Sequence, residues 1–211
     1  MPLKRCAAAP GCWVNQPGPA ALLALVVWCG LSAPAAAQAP PVGPNPATVA
    51  ACAGCHGPGG NSPSPAVPSL VAQPRTFIEN QLVLIREGLR DVPVMKGLMA
   101  GMDDAEVVAL ARYFAAQQPL PVPGAVQAEK ARAGAELSRR ALCAGCHLPG
   151  YVGQSQVPRL AGQQEAYLLA TLKMYRDKPQ PGRDTLMSGP LQGMKDAELE
   201  NLAHHLAHLG K

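Results

Sequence analysis

"CAGCH" occupies Cys52–His56 and again Cys143–His147. Residues i, i+3 and i+4 of a helical turn share one face, so each copy sets two thiols and an imidazole side by side. The likeness extends outward from both copies. "VPSLVAQ" (67–73) returns as "VPRLAGQ" (157–163), an offset of 90, and "EVVALARYFA" (106–115) returns as "ELENLAHHLA" (198–207), an offset of 92. Between these pairs, "FIENQLVLIREG" (77–88) corresponds to "YLLATLKMYRDK" (167–178), which places Arg86 opposite Arg176. The chain therefore reads as one unit written twice with small loop insertions. The proline-rich stretch 118–127, "QPLPVPGAVQ", joins the copies as a semi-extended linker.

Each copy reads as helical. In 77–88 the apolar residues Phe77, Ile78, Leu82 and Ile85 fall at helical spacing. Asp103, with Glu106 three residues on, is the start signal of a closing helix whose inner stripe is Val107, Leu110, Ala111 and Phe114. Leu199, Leu202, Leu206 and Leu209 form the matching stripe in copy two. A further helix over Glu129–Leu142 is expected to run into the second CAGCH. No stretch alternates as a strand would, so the fold class is all-α.

The N-terminus has the pattern of an export signal. Lys4 and Arg5 precede the apolar run Ala20–Leu31, and small residues offer cleavage after Ala37 or Ala39. A run of twelve residues is short of the ~20 that a membrane span needs. Of the seven cysteines, Cys6, Cys12 and Cys29 fall in this leader, leaving the remaining four all inside the repeated motif. The reading divides the chain into a signal peptide (1–37), a first domain (38–119), a linker (120–127) and a second domain (128–211).

Three chemistries use Cys-x-x-Cys. Thiol redox needs a βαβ context that this helical pattern lacks. Zinc ribbons keep their cysteine pairs within ~15–20 residues of each other, whereas 87 residues separate Cys55 from Cys143. Covalent haem attachment uses Cys-x-x-Cys-His itself: two thiols add to the vinyl groups of one porphyrin edge, and the histidine reaches the iron. The haem reading names Cys52, Cys55 and His56 in one copy and Cys143, Cys146 and His147 in the other. It also accounts for a chain with only 4% aromatic residues, whose two tryptophans lie in the leader: the porphyrin supplies apolar surface that the small cores lack.

High-potential cytochromes c place iron between His and Met. Met99 faces Leu191 in the repeat and Met174 faces Leu84, so neither is shared. Two pairs remain at an offset of 92: Met95 with Met187, and Met102 with Met194. Met102 precedes the cap of the closing helix, where a staple residue belongs. Met95 and Met187 lie in loops that carry glycine and proline and are favoured as the second iron ligands. The carbonyls of Pro68 and Pro158 are candidate acceptors for the outer N–H of each histidine.

These residues resemble the dihaem cytochromes c of the c4 type, two class I cytochrome c domains in tandem. "CAGCHGPGGNSPSPAVPSLVAQ" (52–73), "CAGCHLPGYVGQSQVPRLAGQ" (143–163), the methionine loops and the closing helices carry the resemblance, which covers about 45–211. It implies Met95 and Met187 as axial ligands, two covalently bound haem c groups, periplasmic electron transfer, and haem propionates that meet near the domain interface. Copy one departs from the pattern, with only the stub "NPATVAA" (45–51) before its motif. In copy two His205 and Leu206 stand where copy one has Tyr113 and Phe114. His204 and His208 are expected on the polar side of the last helix, as a solvated face or a surface metal site.

The expected function is single-electron transfer between redox partners such as a cytochrome oxidase, a quinol-oxidising complex or a dehydrogenase, with peripheral membrane association open. A haem subunit of a flavin- or quinone-linked dehydrogenase is the alternative. With both axial positions of each iron filled, nothing small binds without displacing methionine, so a carrier is expected and not an enzyme. Residues 38–121 carry 5 basic and 6 acidic side chains, and 122–211 carry 11 and 8. This asymmetry could orient the molecule at partners, and the net charge of +4 is too small for nucleic-acid binding.

Overall fold

A computed structural model describes residues 43–209. The expected signal peptide lies outside them. Eight α-helices follow one another among the described residues: α1 (Pro46–His56), α2 (Arg75–Arg86), α3 (Pro93–Met99), α4 (Asp104–Ala115), α5 (Ala128–Arg140), α6 (Ala144–His147), α7 (Glu165–Asp177) and α8 (Asp196–Ala207). Short 3₁₀ turns cover Pro58–Gly60, Pro149–Tyr151 and Thr185–Leu191. No strand forms among the described residues; Gln154 and Val157 make one isolated bridge. No described helix is long and apolar enough to cross a membrane.

The periodic stripes become two cores. Ile78, Leu82 and Ile85 of α2 pack on Val107, Leu110, Ala111 and Phe114 of α4, with Met99 filling the gap. Leu168 and Leu172 of α7 pack on Leu199, Leu202 and Leu206 of α8, with Leu191 in the place of Met99. Caps fix where these helices begin. The Asp103 carboxylate accepts the Glu106 N–H at 2.8 Å. Glu106 does not close the reciprocal half of that box; its carboxylate accepts the Asn45 N–H at 3.1 Å and so ties the start of α1 to α4. In α8 the residue before the helix is Lys195, which cannot accept, and there Glu198 does reach back to the Lys195 N–H at 2.8 Å.

The two copies differ at their first helix. In copy one α1 carries the whole CAGCH in one continuous helix. In copy two the expected helix stops early: α5 ends at Arg140, Leu142 adopts φ 55, and the motif sits on the separate turn α6. The break frees α5 to lie across α8, with Gly134 at the crossing. A Cβ there would stand 2.1 Å from the Asn201 carbonyl oxygen and 2.6 Å from the His205 Cβ. Gly134→Ala is therefore expected to cost about 2–3 kcal/mol, read as a lower denaturant midpoint with an unchanged slope.

Both cores belong to one compact unit, and the seam between them is built by the repeat itself. The Gln163 side chain accepts the Ser69 N–H at 2.7 Å and donates to the Ser69 carbonyl at 2.9 Å. Gln73, its counterpart, accepts the Arg159 N–H at 2.9 Å and donates to the Arg159 carbonyl at 2.9 Å. Ser69 and Arg159 are themselves counterparts, so each copy offers its glutamine to the same stretch of the other's backbone, as a two-fold relation requires. Gln164 adds a bond to the Ser62 carbonyl at 2.7 Å, and the Tyr167 N–H one to the Pro65 carbonyl at 3.0 Å.

The segment 118–127 has no regular secondary structure and is held at both ends. Asn61 of copy one accepts the Leu120 N–H at 2.7 Å and donates to the Gln118 carbonyl at 3.1 Å. At the other end, the Gln127 N–H donates to Nε2 of His204 at 2.9 Å.

Candidate haem sites

Cys52, Cys55 and His56 lie on the last turn of α1. Cys143 opens the turn α6, which carries Cys146 and His147. No disulfide joins these four cysteines, and Cys55 and Cys146 are exposed. Burial pushes the Cys52 and Cys143 thiols up from their ordinary range.

Both histidines are buried, and each has one ring nitrogen committed. Nδ1 of His56 stands 2.8 Å from the Pro68 carbonyl, and Nδ1 of His147 stands 2.8 Å from the Pro158 carbonyl. A carbonyl only accepts, so Nδ1 carries the proton and Nε2 keeps its lone pair. Burial lowers the tendency of both rings to protonate, and the bonds to Pro68 and Pro158 only partly offset this. A neutral imidazole with a fixed tautomer and a free Nε2 is the form that binds a metal.

The carbonyls at 68 and 158 are placed by bonds that repeat in both copies. The Leu70 N–H donates to Gly60 at 2.8 Å, and the Leu160 N–H to Tyr151 at 2.9 Å. Two residues on, the Ala72 and Gly162 N–H groups donate to Phe114 and Leu206 on the closing helices, each at 2.9 Å. The "VPxLxxQ" segment thus holds the histidine with one residue and the opposite copy with another.

Met95 and Met187 are half-buried and line the same cavity as His56 and His147. They do not sit in open loops, as their glycine and proline neighbours suggested. Met95 is on the short helix α3, which starts at Pro93, and Met187 is in the 3₁₀ turn Thr185–Leu191, capped by Asp184. Proline at a first helical position starts a turn as readily as it breaks one. The rival methionines are anchored through their backbones: Arg86 donates to the Met102 carbonyl at 3.0 Å and Arg176 to the Met194 carbonyl at 2.9 Å. The same guanidiniums pair with Asp104 at 2.8 Å and Asp196 at 2.7 Å at the start of each closing helix. The sequence had aligned these arginines without assigning them this part. They fix the segments that follow Met95 and Met187; Met99 and Met102 also line the cavity.

The cavity is continuous across the seam, with a volume of about 960 Å³ and walls that include Ile78, Leu82, Ile85, Leu168 and Leu172. Two thiols one turn apart, a neutral imidazole, a thioether and apolar walls are the donor set and surroundings that haem c needs, and they occur once in each copy.

His204 and His208 do not form a solvated face. They are 1% and 8% exposed, on the side of α8 turned toward the start of α7 and the linker. The Gln127 amide can only donate to Nε2 of His204, so the His204 proton is on Nδ1 and points at Glu165 Oε2, 3.0 Å away. Nε2 of His208 approaches the same oxygen at 3.3 Å. These three residues bring ligand atoms within 4.8 Å of one another. A cation bound through Nδ1 of His204 would have to expel that proton while Nε2 still accepted the linker N–H, leaving an anionic ring. The group is a hydrogen-bonded strap between helix and linker, and helical periodicity alone misplaced it.

Comparison with known proteins agrees with this duplication. Residues 131–210 match the family model for cytochrome c, and residues 47–114 match that for subunit III of cbb3-type cytochrome c oxidase. The chain is 34% identical to the thiosulfate dehydrogenase electron acceptor of Thiomonas intermedia, over 77% of this chain and 80% of that protein. It is 34% identical to cytochrome c4 of Pseudomonas aeruginosa, over 62% of this chain and 69% of that protein. The crystal structure of reduced recombinant cytochrome c4 from Pseudomonas stutzeri superposes with a TM-score of 0.71 at 29% identity, covering 80% of this chain and 100% of that one. A cytochrome match on each copy, together with this likeness across both, means that the chain belongs to the cytochrome c4 family: it carries two covalently bound haem c groups and transfers electrons.

Proposed function

We propose that two haem-binding units, 38–119 and 128–211, joined by 120–127, relay single electrons through this molecule in the periplasm. Cys52 and Cys55 hold one haem by thioether bonds, and Cys143 and Cys146 hold the other. His56 and Met95 would hold the first iron, and His147 and Met187 the second. The observation that carries this reading is the doubled set of a buried histidine, its tautomer set by a proline carbonyl 2.8 Å away, and a methionine lining the same apolar cavity.

When bound, each haem supplies an iron that cycles between ferrous and ferric. The protein's part is to keep that change from moving atoms. Pro68 and Pro158 fix the imidazole planes. The anchors at Arg86 and Arg176 hold the segments after Met95 and Met187. The apolar walls keep water from the iron. Iron that kept the same histidine and methionine in both oxidation states would rearrange little when an electron arrived. The likeness to a thiosulfate dehydrogenase electron acceptor supports a sulfur-oxidising dehydrogenase as donor.

The test is haem stoichiometry in protein exported by a host that attaches haem c. Intact-mass measurement should show two haems per mature chain. Cys52→Ala paired with Cys55→Ala should leave one, and so should Cys143→Ala with Cys146→Ala. A colourless wild-type protein would overturn the reading.

A further inference from the structure

Arg90 lies on the loop between α2 and α3, and Arg183 on the matching loop between α7 and the Thr185–Leu191 turn. The two loops cross at the seam. Gly182 packs so closely on the first loop that a Cβ there would stand 2.5 Å from the Leu89 carbonyl oxygen and 2.9 Å from the Arg90 Cβ. Both arginines line the shared cavity, alongside Tyr167 and Tyr175.

Their charges are poorly answered by the protein. The Nε of Arg90 and the Nε of Arg183 are both buried without a hydrogen-bond partner. Arg90 donates through Nη1 to the Gln81 amide oxygen, and Tyr167 and Tyr175 stand close to Arg90 and Arg183, so the groups around the two guanidiniums are neutral. No carboxylate among the described residues lies within ion-pair distance of either guanidinium. Asp184, the neighbour of Arg183, turns its carboxylate to the Leu186 N–H at 2.9 Å, and Asp91, the neighbour of Arg90, is exposed. Burial and the nearby charge of Arg183 both weaken the hold of Arg90 on its proton.

Two guanidiniums facing one apolar space are costly without a counter-anion. An unpaired Nε beside an Nη is one edge of the fork that grips a carboxylate through two parallel bonds. A haem brings two propionate carboxylates, and this cavity serves a haem from each side. We propose that Arg90 and Arg183 form a single carboxylate seat shared by the two copies, which binds a propionate of each haem and keeps those carboxylates ionised at the seam. The proposal rests on the haem attachment described above. Positive charge at that point favours the reduced state of the nearer iron, because reduction adds negative charge.

Arg90→Gln and Arg183→Gln, made separately in the full haem-loaded protein, test this. Haem content is counted first, and both midpoint potentials are then titrated by spectroelectrochemistry between pH 5 and pH 9. Each variant with two haems should lower the reduction equilibrium constant of at least one haem about tenfold, or about 59 mV for a one-electron couple. Its potential should also acquire a pH dependence absent from wild type, falling as pH rises through the pKa of a propionate no longer held ionised. Arg90→Lys and Arg183→Lys should keep two haems and the flat profile. Unchanged potentials in both Gln variants with two haems would overturn the proposal. So would wild-type potentials that follow added phosphate or chloride, since a mobile anion would then occupy the seat. If a Gln variant fails to retain haem, recovery by its Lys variant is the expected result, and failure of that recovery overturns the proposal. Loss of haem from the wild type itself would instead strike the attachment reading, at the first step.

Discussion

Met187→Ala is expected to lower the potential of one haem by a few hundred millivolts, within the ~0.8 V that axial ligation spans, and to leave the other haem nearly unchanged. Half of the methionine-to-iron charge-transfer absorption of the oxidised protein should vanish with it. Thioether sulfur favours ferrous iron, and the water or solvent ligand that replaces it does not. Met194→Ala is the control: Met194 packs against the second core and its carbonyl is tied to Arg176, so its loss should cost stability and spare the charge-transfer band. If Met194→Ala removed the band and Met187→Ala did not, the ligand assignment would be wrong in both copies.

Gln163→Ala should produce the second large effect. Its side chain satisfies the Ser69 N–H and carbonyl in a buried setting, and also accepts the Gln164 N–H at 2.9 Å. Truncation leaves three backbone groups without their partner. Each costs ~1–3 kcal/mol when buried, and water entering the space offsets part of this, so a loss of about 3 kcal/mol is expected. The two halves should then unfold separately. Denaturant curves followed at each haem should divide into two transitions where wild type shows one. Gln73→Ala, whose bonds to Arg159 are only partly buried, should have a smaller effect of the same kind. A single undivided transition in Gln163→Ala would show that the seam does not couple the halves.

What the sequence made legible was whatever repeats with a helical period or at a motif's spacing. The stripes of α2, α4, α7 and α8 are set by apolar residues every three or four positions, and those became the cores. The two CAGCH turns, the proline carbonyls and the place of Met95 and Met187 on the cavity wall could be read because each occurs twice at one offset. Residues that depend on a tertiary partner were not legible. Gln73 and Gln163 look like surface amides until the opposing backbone is in place. His204 and His208 look solvated on a helical wheel, because nothing in the pattern of α8 reveals that Glu165 and the Gln127 amide will cover them. Arg90 and Arg183 fall in loops of different length, so the offsets that aligned Arg86 with Arg176 left them unmatched.

Each glutamine at the seam reads only main chain, so it is indifferent to the side chain that the opposing residue carries. Serine stands at 69 and arginine at 159, yet both are gripped in the same way. A joint of this kind survives drift in either partner. The two descendants of one ancestral unit could therefore diverge in charge and in electron affinity without losing their fit to each other, and a duplicated carrier could acquire a high end and a low end.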